Sequence, residues 1–451
     1  AELADARRNA AVGYTRRSAI EAEVRARAGA AGVPDLYGLA ATLGADEQLV
    51  CYERLATDGH NLHPCGRTRL GWTLPDVLAH DQESPATAVA FVALRRDRHV
   101  GEDLGALLRE AYPWLPEPPA GHLLQPVHAW QAGRLLPAEP EATRPEGVRA
   151  VPVPPIAATP TTAVRTVLLE PDAAGVRHYL KLSLDIQITS TRRTISVAST
   201  RNGPAISALL HRLLAGEPDV LLLAEPAGAA LRDSRDASAI LRDTLSGRLR
   251  PGEVAIPGAA LPAGSPVTGR SVLAEVVDRY HGGAEQFVEA YARLLLPPVL
   301  RLAAAGVGLE AHLQNSIPIF VDGVPTRIAF RDMAGLRLHL PRLARHSTVD
   351  WLWPGSVVAT HDVDVLRAKV GYTALQAHLG EVIALLAGSH NLDERAAWRR
   401  VRAVLDETAA DPDDHAYLTA PKVAHKALVR MRISAGSGDI HVPVENPLHD
   451  P

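Results

Sequence analysis

The most regular hydrophobic pattern in this chain is a strict alternation across residues 180–189. Apolar side chains occupy every second position: Leu180, Leu182, Leu184, Ile186 and Ile188. This spacing is typical of a β-strand with one buried face, because successive side chains point to opposite sides of the strand. We expect one long strand here that carries Lys181 and Thr189 on its polar face, with Arg193 just beyond it. A solvent-facing sheet surface would carry the same residue types.

A second pattern consists of two apolar runs joined by Asp322-Gly323. Asp-Gly between strand-like runs predicts a β-hairpin, since both central residues of a type I′ turn need positive φ. The hairpin would bring Asp332 beside a polar group that precedes the first run. That group consists of Glu310, His312, Gln314 and Asn315. Such an oxygen-rich cluster suits Mg²⁺ and phosphates, and the alternative is a solvated hairpin end.

Helical periodicity covers much of the remaining chain. Residues 1–115 are predicted to be mostly helical, and residues 161–200 to be strand-like. The predicted helical segments are 17–32, 74–97, 271–308, 367–388 and 393–410.

Proline is dense from residue 112 to residue 160, which predicts a domain boundary or a long connection without regular structure. Length alone favours two or three domains. We predict an α+β fold in three parts, namely residues 1–150, 151–245 and 246–451.

Composition and charge narrow the class of protein. The chain has 451 residues, of which 47% are hydrophobic, and no apolar run approaches the roughly 18 residues of a membrane span. The formal charge of −4 gives no reason to expect a nucleic-acid partner. The first residues are charged throughout and lack the apolar core of a secretory signal. With only two cysteines, we expect a reducing cytoplasmic location.

Lysine is scarce, since only four of the 47 basic residues are lysines. A retained lysine, such as Lys181 or Lys426, then indicates a role for a compact ammonium group rather than a planar guanidinium. Chance retention is a fair explanation for Lys369 and Lys422. In the polar loop 58–72, Arg67 and Arg69 alternate along an extended segment and suit an anion.

Several short segments together resemble the NRPS-independent siderophore synthetases, the IucA/IucC type of aerobactin-synthetase family. They follow the family order over almost the whole chain. The segments are GHNLHPCGRTRLG (59–71), VHAWQ (127–131), PTTAVRT (160–166), KLSLDIQITSTRRT (181–194), NGPAIS (202–207), EAHLQN (310–315), RDMAG (331–335) and KALVRMR (426–432).

This resemblance implies ATP-dependent adenylation of a carboxylate such as citrate, followed by attack of an amine, hydroxylamine or alcohol to give an amide or ester. It implies a cradle in which 1–150 form a thumb, 151–245 β-rich fingers and 246–451 a palm. ATP and Mg²⁺ would be the cofactors, and small molecules the partners. The family also often forms dimers, which makes a homodimer an expectation.

The resemblance also assigns roles to individual residues. His312, Arg193 and Lys181 would act in catalysis. The nucleotide would be held by Arg165, Thr166, Lys181, Arg193, Glu310, His312, Gln314, Asn315 and Asp332. Substrate carboxylates would contact Thr189, Arg193, His312, Lys426, His63, Arg67 and Arg69, with His60 in the same thumb motif. The Mg²⁺ ligands would be Glu310, Asn315 and Asp332.

The chain departs from the family pattern at three points. Arg67 stands where the family has Lys, which keeps the charge but changes its geometry. Ala163 takes the first position of the family's Ser-x-Arg-Thr element and removes a hydroxyl that could contact phosphate. The chain is also short for the family, which leaves an unusual substrate or reduced activity open.

Two other functions fit the same residues. A kinase-like phosphotransferase would also use a Lys on a β-platform, a His/Asn cluster and a later Asp, although the chain has no convincing Gly-rich phosphate loop. A degenerate module that binds nucleotide or siderophore without chemistry would account for Ala163 and the short length.

Overall fold

The computed structural model of the protein describes residues 2–137, 145–189, 191–434 and 440–451. The helices are α1 (Glu2–Ala31), α2 (Leu36–Ala41), α3 (Ala45–Glu53), α4 (Leu74–His80), α5 (Leu104–Ala111), α6 (Ala129–Leu135), α7 (Val197–Leu213), α8 (Val272–Arg279), α9 (Gly283–Ala304), α10 (Leu340–Leu343), α11 (Val363–Val370), α12 (Gly380–His390), α13 (Glu394–Thr408), α14 (Pro412–Leu418) and α15 (Leu428–Ile433). A π-helical segment, Gly371–Leu379, joins α11 to α12.

The strands are β1 (Thr87–Arg95), β2 (His99–Gly101), β3 (His122–His128), β4 (Val148–Ala150), β5 (Ile156–Pro160), β6 (Thr166–Leu169), β7 (Tyr179–Leu182), β8 (Leu184–Ile188), β9 (Thr191–Arg193), β10 (Val220–Leu222), β11 (Ala227–Leu231), β12 (Ala239–Arg242), β13 (Val254–Ala255), β14 (Val307–Gly308), β15 (Ser316–Val321), β16 (Val324–Phe330), β17 (Arg337–His339), β18 (Ala359–Thr360), β19 (Lys422–Lys426) and β20 (His441–Glu445).

The largest sheet is antiparallel and, within the described ranges, has nine strands. Its order is β2-β11-β12-β7-β6-β5-β1-β3, with β4 paired to β1. Helix α7 lies directly on β11, where a Cβ on Gly228 would come within 2.5 Å of the Thr200 carbonyl oxygen. Strands from both sides of residue 150 share this sheet, and the three-part division stays a prediction.

The predicted hairpin is confirmed. Strands β15 and β16 pair antiparallel, with Ser316 opposite Phe330 and Val321 opposite Val324. Asp322 and Gly323 have φ values of 50° and 79°, which is the positive-φ pair that a type I′ turn requires. At the open end, the Arg331 N–H donates to the Asn315 carbonyl oxygen at 3.0 Å. The register therefore brings the residues after β16 next to those before β15.

The hairpin is anchored by the long helix α9, which forms much of the largest apolar core. Phe287 and Tyr291 stack on Phe320 of β15, with ring centroids 6.3 and 6.4 Å apart. Burial of such large rings supplies hydrophobic stabilisation and fixes the orientation of the strand. Helices α8, α9 and α13 confirm the helices predicted within 271–308 and 393–410.

The prediction of one helix over 74–97 was wrong. Helix α4 ends at His80, and the second half of this segment is strand β1. Pro85 interrupts any continuing helix, and the following run contains Val89, Phe91 and Val92, which are β-branched or aromatic and lie in the sheet core. Alanine and leucine around them give helical periodicity, but pairing with β3 and β5 decides the outcome.

The proline-dense segment is also more regular than predicted. It contains β3, α6, β4 and β5. Proline is compatible with these elements because it lies mainly between them or near strand ends. Residues 138–144, for which a connection was predicted too, lie outside the described residues.

The long strand predicted over 180–189 is divided at Ser183 into β7 and β8. The Ser183 hydroxyl donates to the Arg235 carbonyl oxygen and accepts from the Ile195 N–H at 3.0 Å, so the chain leaves the main sheet there. Strand β8 then pairs with β9 in a separate two-stranded ribbon. Lys181, expected on a polar face, is 1% exposed.

The continuous helix Val363–His390 is long and apolar enough to cross a membrane by length and composition alone, and 67% of its most apolar window is buried inside the protein. Such burial is what a core helix of a folded domain has.

Substituting Gly323 tests how tightly the hairpin turn is packed. A Cβ there would lie 2.5 Å from the Val276 carbonyl oxygen, on backbone that cannot rotate away. Gly175 has a similar φ of 77° but nothing within 4 Å, and so provides a matched control. We expect Gly175→Ala to cost about 1 kcal/mol and Gly323→Ala about 3 kcal/mol or more in urea unfolding. Equal losses would contradict the packing described.

Candidate functional site

A cleft lies between the polar loop 59–69, the 160–166 turn, the β8–β9 ribbon and the open end of the hairpin. Among the predicted site residues, those that line it are Arg69, Arg165, Thr189, Arg193, His312, Gln314 and Asp332.

The turn between β5 and β6 presents three of its residues, Thr162, Ala163 and Arg165, to the cleft. Val164, between Ala163 and Arg165, is buried and has a φ of 62°, which is unusual for a β-branched residue. The turn is tied down by Thr161, whose hydroxyl donates to the Thr166 carbonyl oxygen at 2.7 Å. It is also tied to α3, because Glu53 accepts a hydrogen bond from the Thr162 N–H at 3.2 Å. Strained backbone held by this many contacts is typical of functional sites.

The adjoining wall of the cleft carries two arginine side chains, Arg165 and Arg193. Arg165 donates to the Arg193 carbonyl oxygen at 3.1 Å, and Arg193 donates to the Ile188 carbonyl oxygen and the Thr189 hydroxyl at 3.2 Å each. Burial, followed by the charges of Arg165 and Arg69, lowers the pKa of Arg193 to about 9. The Arg193 Nε is buried and has no hydrogen-bond partner within the described part of the chain. Clustered, incompletely satisfied guanidinium groups attract an anion.

Lys181 reaches the hairpin from inside the main sheet and forms an ion pair with Asp332. The pair belongs to a buried network in which Arg242 contacts Glu225 at 2.8 Å and Asp332 at 3.6 Å. Burial acts to raise the pKa of Asp332, but Lys181, Arg242 and Arg165 outweigh it and hold the pKa far below its usual range. Asp332 is therefore ionised at the cleft wall. Thr166 lies opposite Lys181 in the β6–β7 register and is buried.

His312 lines the cleft at the start of the hairpin, next to a second ion pair. Glu310 contacts Lys369 at 2.9 Å. Burial acts to raise the pKa of Glu310, but Lys369 and His312 hold it below its usual range. Burial lowers the pKa of His312 despite the opposing charge of Glu310, which favours a neutral imidazole. The Asn315 amide donates to the Glu310 carbonyl oxygen at 3.2 Å and so ties the cluster together.

The arginines of the polar loop are paired within the protein. Arg67 contacts Asp81 at 3.1 Å and Glu83 at 2.9 Å, and Arg69 contacts Asp81 at 2.9 Å. Both arginines are nearly inaccessible, at 4% and 2% exposure. Their charge is thus balanced internally, although Arg69 still lines the cleft.

Of the two histidines in this loop, His60 lines the cleft. The rings of His60 and His63 are 6.0 Å apart. Burial, with the charges of His312 and His63, lowers the pKa of His60 to about 4, and burial and Arg193 lower the pKa of His63. Both are accordingly neutral near pH 7.

Lys426 approaches from the C-terminal ribbon. It lies over the ring of Tyr372, 5.6 Å from the centroid, and Tyr372 lines the cleft. The C-terminal ribbon therefore contacts the cleft wall through Tyr372.

Sequence reasoning missed three residues of this arrangement: Glu225, Arg242 and Lys369. The rarity of lysine could have pointed to Lys369. Glu225 and Arg242 lie far apart from each other and from Asp332 in sequence, and no local pattern marks them.

Two of the three residues predicted to hold Mg²⁺ are ionised oxygen donors that already have lysine partners. Across the described ranges, no group of three or more His, Cys, Asp and Glu side chains is arranged to hold a metal ion. Glu310 and Asp332 are ionised oxygen donors, which suits a hard cation, but each also has a lysine partner. The donor chemistry fits Mg²⁺ that arrives together with phosphate oxygens.

Two known protein families match separate parts of this chain. Residues 48–263 match the IucA / IucC family, and residues 285–438 match a family described as ferric iron reductase FhuF-like transporter.

Two of the curated relatives are a synthase and a ligase of Staphylococcus aureus. Staphyloferrin A synthase of Staphylococcus aureus is 25% identical over 436 residues, covering 89% of this chain and 73% of its own length. D-ornithine–citrate ligase of the same organism is 26% identical over 404 residues, covering 78% of this chain and 60% of its own length. The chain thus spans only about 60 to 73% of these relatives.

Among solved structures, ATP-bound aerobactin synthetase IucA of Klebsiella pneumoniae superposes with a TM-score of 0.75 at 20% identity. The match covers 99% of this chain and 82% of that one. This likeness confirms the predicted α+β fold class, while the thumb, fingers and palm assignment stays a prediction. The family match over residues 48–263 and the curated relatives agree with the resemblance to the IucA/IucC family that the sequence motifs indicate.

Proposed function

We propose that the protein is a siderophore-biosynthesis synthetase. It would use ATP to adenylate a carboxylate, such as citrate or a citrate derivative, and then join the acyl group to an amine, hydroxylamine or alcohol. Staphyloferrin A synthase and D-ornithine–citrate ligase support this reading as relatives, and the ATP-bound aerobactin synthetase supports nucleotide use by the shared fold. Because the chain spans only part of its curated relatives, activity and substrates remain proposals.

The observation that carries the proposal is the placement of Arg165 and Arg193 in one cleft with His312. A carboxylate that attacks the α-phosphate approaches another anion, so both need cations that are already in place. Arg193 would face the substrate carboxylate with Thr189, and Arg165 the phosphates. His312, kept neutral by burial, would donate a hydrogen bond to the reacting centre.

Lys181 and Asp332 would serve the phosphate side. Lys181 and Asp332 form an ion pair in which their charges neutralise each other. The phosphates of a bound ATP would share the Lys181 ammonium with Asp332. Mg²⁺ held by Glu310, Asn315 and Asp332 would neutralise the pyrophosphate leaving group. Gln314 would contact the nucleotide, while Lys426 and the polar loop with His63, Arg67 and Arg69 would border the carboxylate.

The proposal includes a cytoplasmic location, which the two free cysteines, Cys51 and Cys65, support. It also includes a homodimer, but no membrane or nucleic-acid partner.

Nucleotide product analysis tests the proposed reaction. Purified protein is incubated with ATP, Mg²⁺, hydroxylamine and a panel of carboxylates that includes citrate. We expect AMP, pyrophosphate and an acyl hydroxamate. Formation of ADP alone would replace the proposal with a phosphotransferase, and nucleotide binding without any turnover across the panel would favour a binding module.

Arg193 and its neighbour Arg192 form a matched pair for mutation. Arg193 is half-buried and lines the cleft, whereas the Arg192 side chain is 68% exposed and pairs with Asp185. We expect Arg193→Ala to lower carboxylate-dependent pyrophosphate exchange by about 100-fold or more, because it removes a preorganised cation. Arg192→Ala should stay within about twofold of wild type. Similar rates in the two variants would refute the assigned role.

Gly335 leaves room for the Glu310 carboxylate, which a Cβ at residue 335 would overlap. A side-chain carboxylate can swing away, so we expect Gly335→Ala to keep its fold but to separate Glu310 from Lys369. Adenylation should fall by about 10- to 100-fold, as displaced active-site groups commonly cause. Gly216, which has nothing within 4 Å of an added Cβ, is the control for both activity and thermal unfolding. Wild-type activity in Gly335→Ala would show that the position of Glu310 is unimportant.

A further inference from the structure

The π-helical segment Gly371–Leu379 runs beside the backbone that leads into His312. π-helical turns are rare, and they occur frequently at functional sites. This one is flanked by ordinary α-helix on both sides, in α11 and α12. Its residues Tyr372 and Ala377 line the cleft.

Side chains on this helix hold three consecutive residues ahead of His312. The Thr373 hydroxyl shares its one proton between the Lys369 carbonyl oxygen at 2.9 Å and the Leu309 carbonyl oxygen at 3.2 Å. The Lys369 ammonium contacts the Glu310 carboxylate at 2.9 Å. The His378 Nδ1 contacts the Ala311 carbonyl oxygen at 2.8 Å.

The π-helical geometry explains why Thr373 and His378 can reach the same segment. Five residues advance a regular α-helix by one turn and about 140°, which would direct the two side chains to different faces. In a segment with i→i+5 hydrogen bonds, five residues bring the chain about once around, so the two side chains share a face. The local change in winding thus aligns both contacts with the strand-like segment 309–312.

The hydrogen bonds of His378 fix its tautomer. The Ala311 carbonyl oxygen can only accept, so the proton lies on Nδ1. The Nε2 then accepts from the Tyr291 hydroxyl at 2.8 Å. Both side chains are completely buried, and burial lowers the pKa of His378 to about 4, in keeping with a neutral ring.

The Ala311 carbonyl belongs to the same planar peptide as the His312 N–H. A hydrogen bond that fixes this peptide therefore limits rotation about the His312 backbone, which has φ −77° and ψ 169°. Tyr291 is itself immobilised in the core by its stacking on Phe320. A chain of contacts consequently runs from the apolar core through His378 to the cleft.

We propose that His378 is a positioning residue that, oriented by Tyr291 and the π-helical segment, fixes the Ala311–His312 peptide and directs His312 into the cleft. The kinetic test of this proposal rests on the proposed synthetase function, because it measures pyrophosphate exchange. His378 has no contact with substrate in this role and acts through His312.

Two substitutions of His378 separate positioning from simple core packing. The amide nitrogen of Asn can occupy the place of Nδ1 and donate to the Ala311 carbonyl oxygen, whereas that of Gln reaches the place of Nε2. We expect His378→Asn to keep kcat for pyrophosphate exchange within about threefold of wild type. His378→Gln should lose about 10- to 100-fold in kcat, with KM for ATP changed less than about twofold.

Tyr291→Phe provides a second test in case the His378 variants fold poorly. It removes one hydroxyl from a core ring and keeps the stacking, so we expect a folded protein with a several-fold lower kcat. If the Asn and Gln variants have equal kcat values, or if Tyr291→Phe has wild-type kcat, the inference is overturned.

A chemical readout separates failure of this inference from failure of the proposed function. The rate of His312 modification by diethyl pyrocarbonate, measured by peptide mass spectrometry, needs no turnover. We expect His378→Asn to match wild type and His378→Gln to differ by severalfold. Equal His312 rates in all three proteins overturn the positioning role even if adenylation is observed. A wild-type protein that does not adenylate, but whose variants differ in this way, overturns only the synthetase proposal.

Discussion

The ion pair between Lys181 and Asp332 is the contact on which the cleft depends. Lys181 lies in the main sheet and Asp332 follows the hairpin, so the pair joins the two walls of the site. The Lys181 ammonium is buried and needs a partner, because an unpaired ion in a low-dielectric interior costs several kcal/mol. Glu225 and Arg242 balance the pair from beneath. Arg165 and Arg193 line the cleft beside this pair, and their guanidinium groups can face a ligand.

Backbone strain accumulates around the same contact. Val164, Thr189 and Asp332 all have positive φ, and each lies in or beside the cleft wall. Each such conformation costs on the order of 1 kcal/mol or more and persists only when surrounding contacts impose it. The π-helical winding beside His312 is a further departure from regular geometry at this place. The site is therefore built from conformations that the apolar core and the buried ion pairs hold in position.

Local sequence signals predicted the parts of the fold that local chemistry controls. Asp322-Gly323 specified the hairpin because its turn needs two positive φ values, and the periodicity of α9 specified a buried helix. Strand β1 was missed because its sheet partners, rather than its own propensities, decide its conformation. The burial of Lys181 was missed for a similar reason, since its partners Glu225 and Asp332 come from distant parts of the chain. Ordered motifs indicated the site residues, but not the ion pairs that hold them.

A double-mutant cycle on Lys181→Met and Asp332→Asn, followed by urea unfolding, tests most directly whether their contact joins the two walls. Asp332→Asn should lose about 3 to 5 kcal/mol, because it leaves the buried Lys181 ammonium without its nearest partner. Lys181→Met should lose less, because the Asp332 side chain is 22% exposed and keeps Arg242 at 3.6 Å. The double variant should lose at least about 2 kcal/mol less than the sum of the two single losses. Losses that add to within about 0.5 kcal/mol would mean that the two residues act independently, and would contradict this account of the cleft.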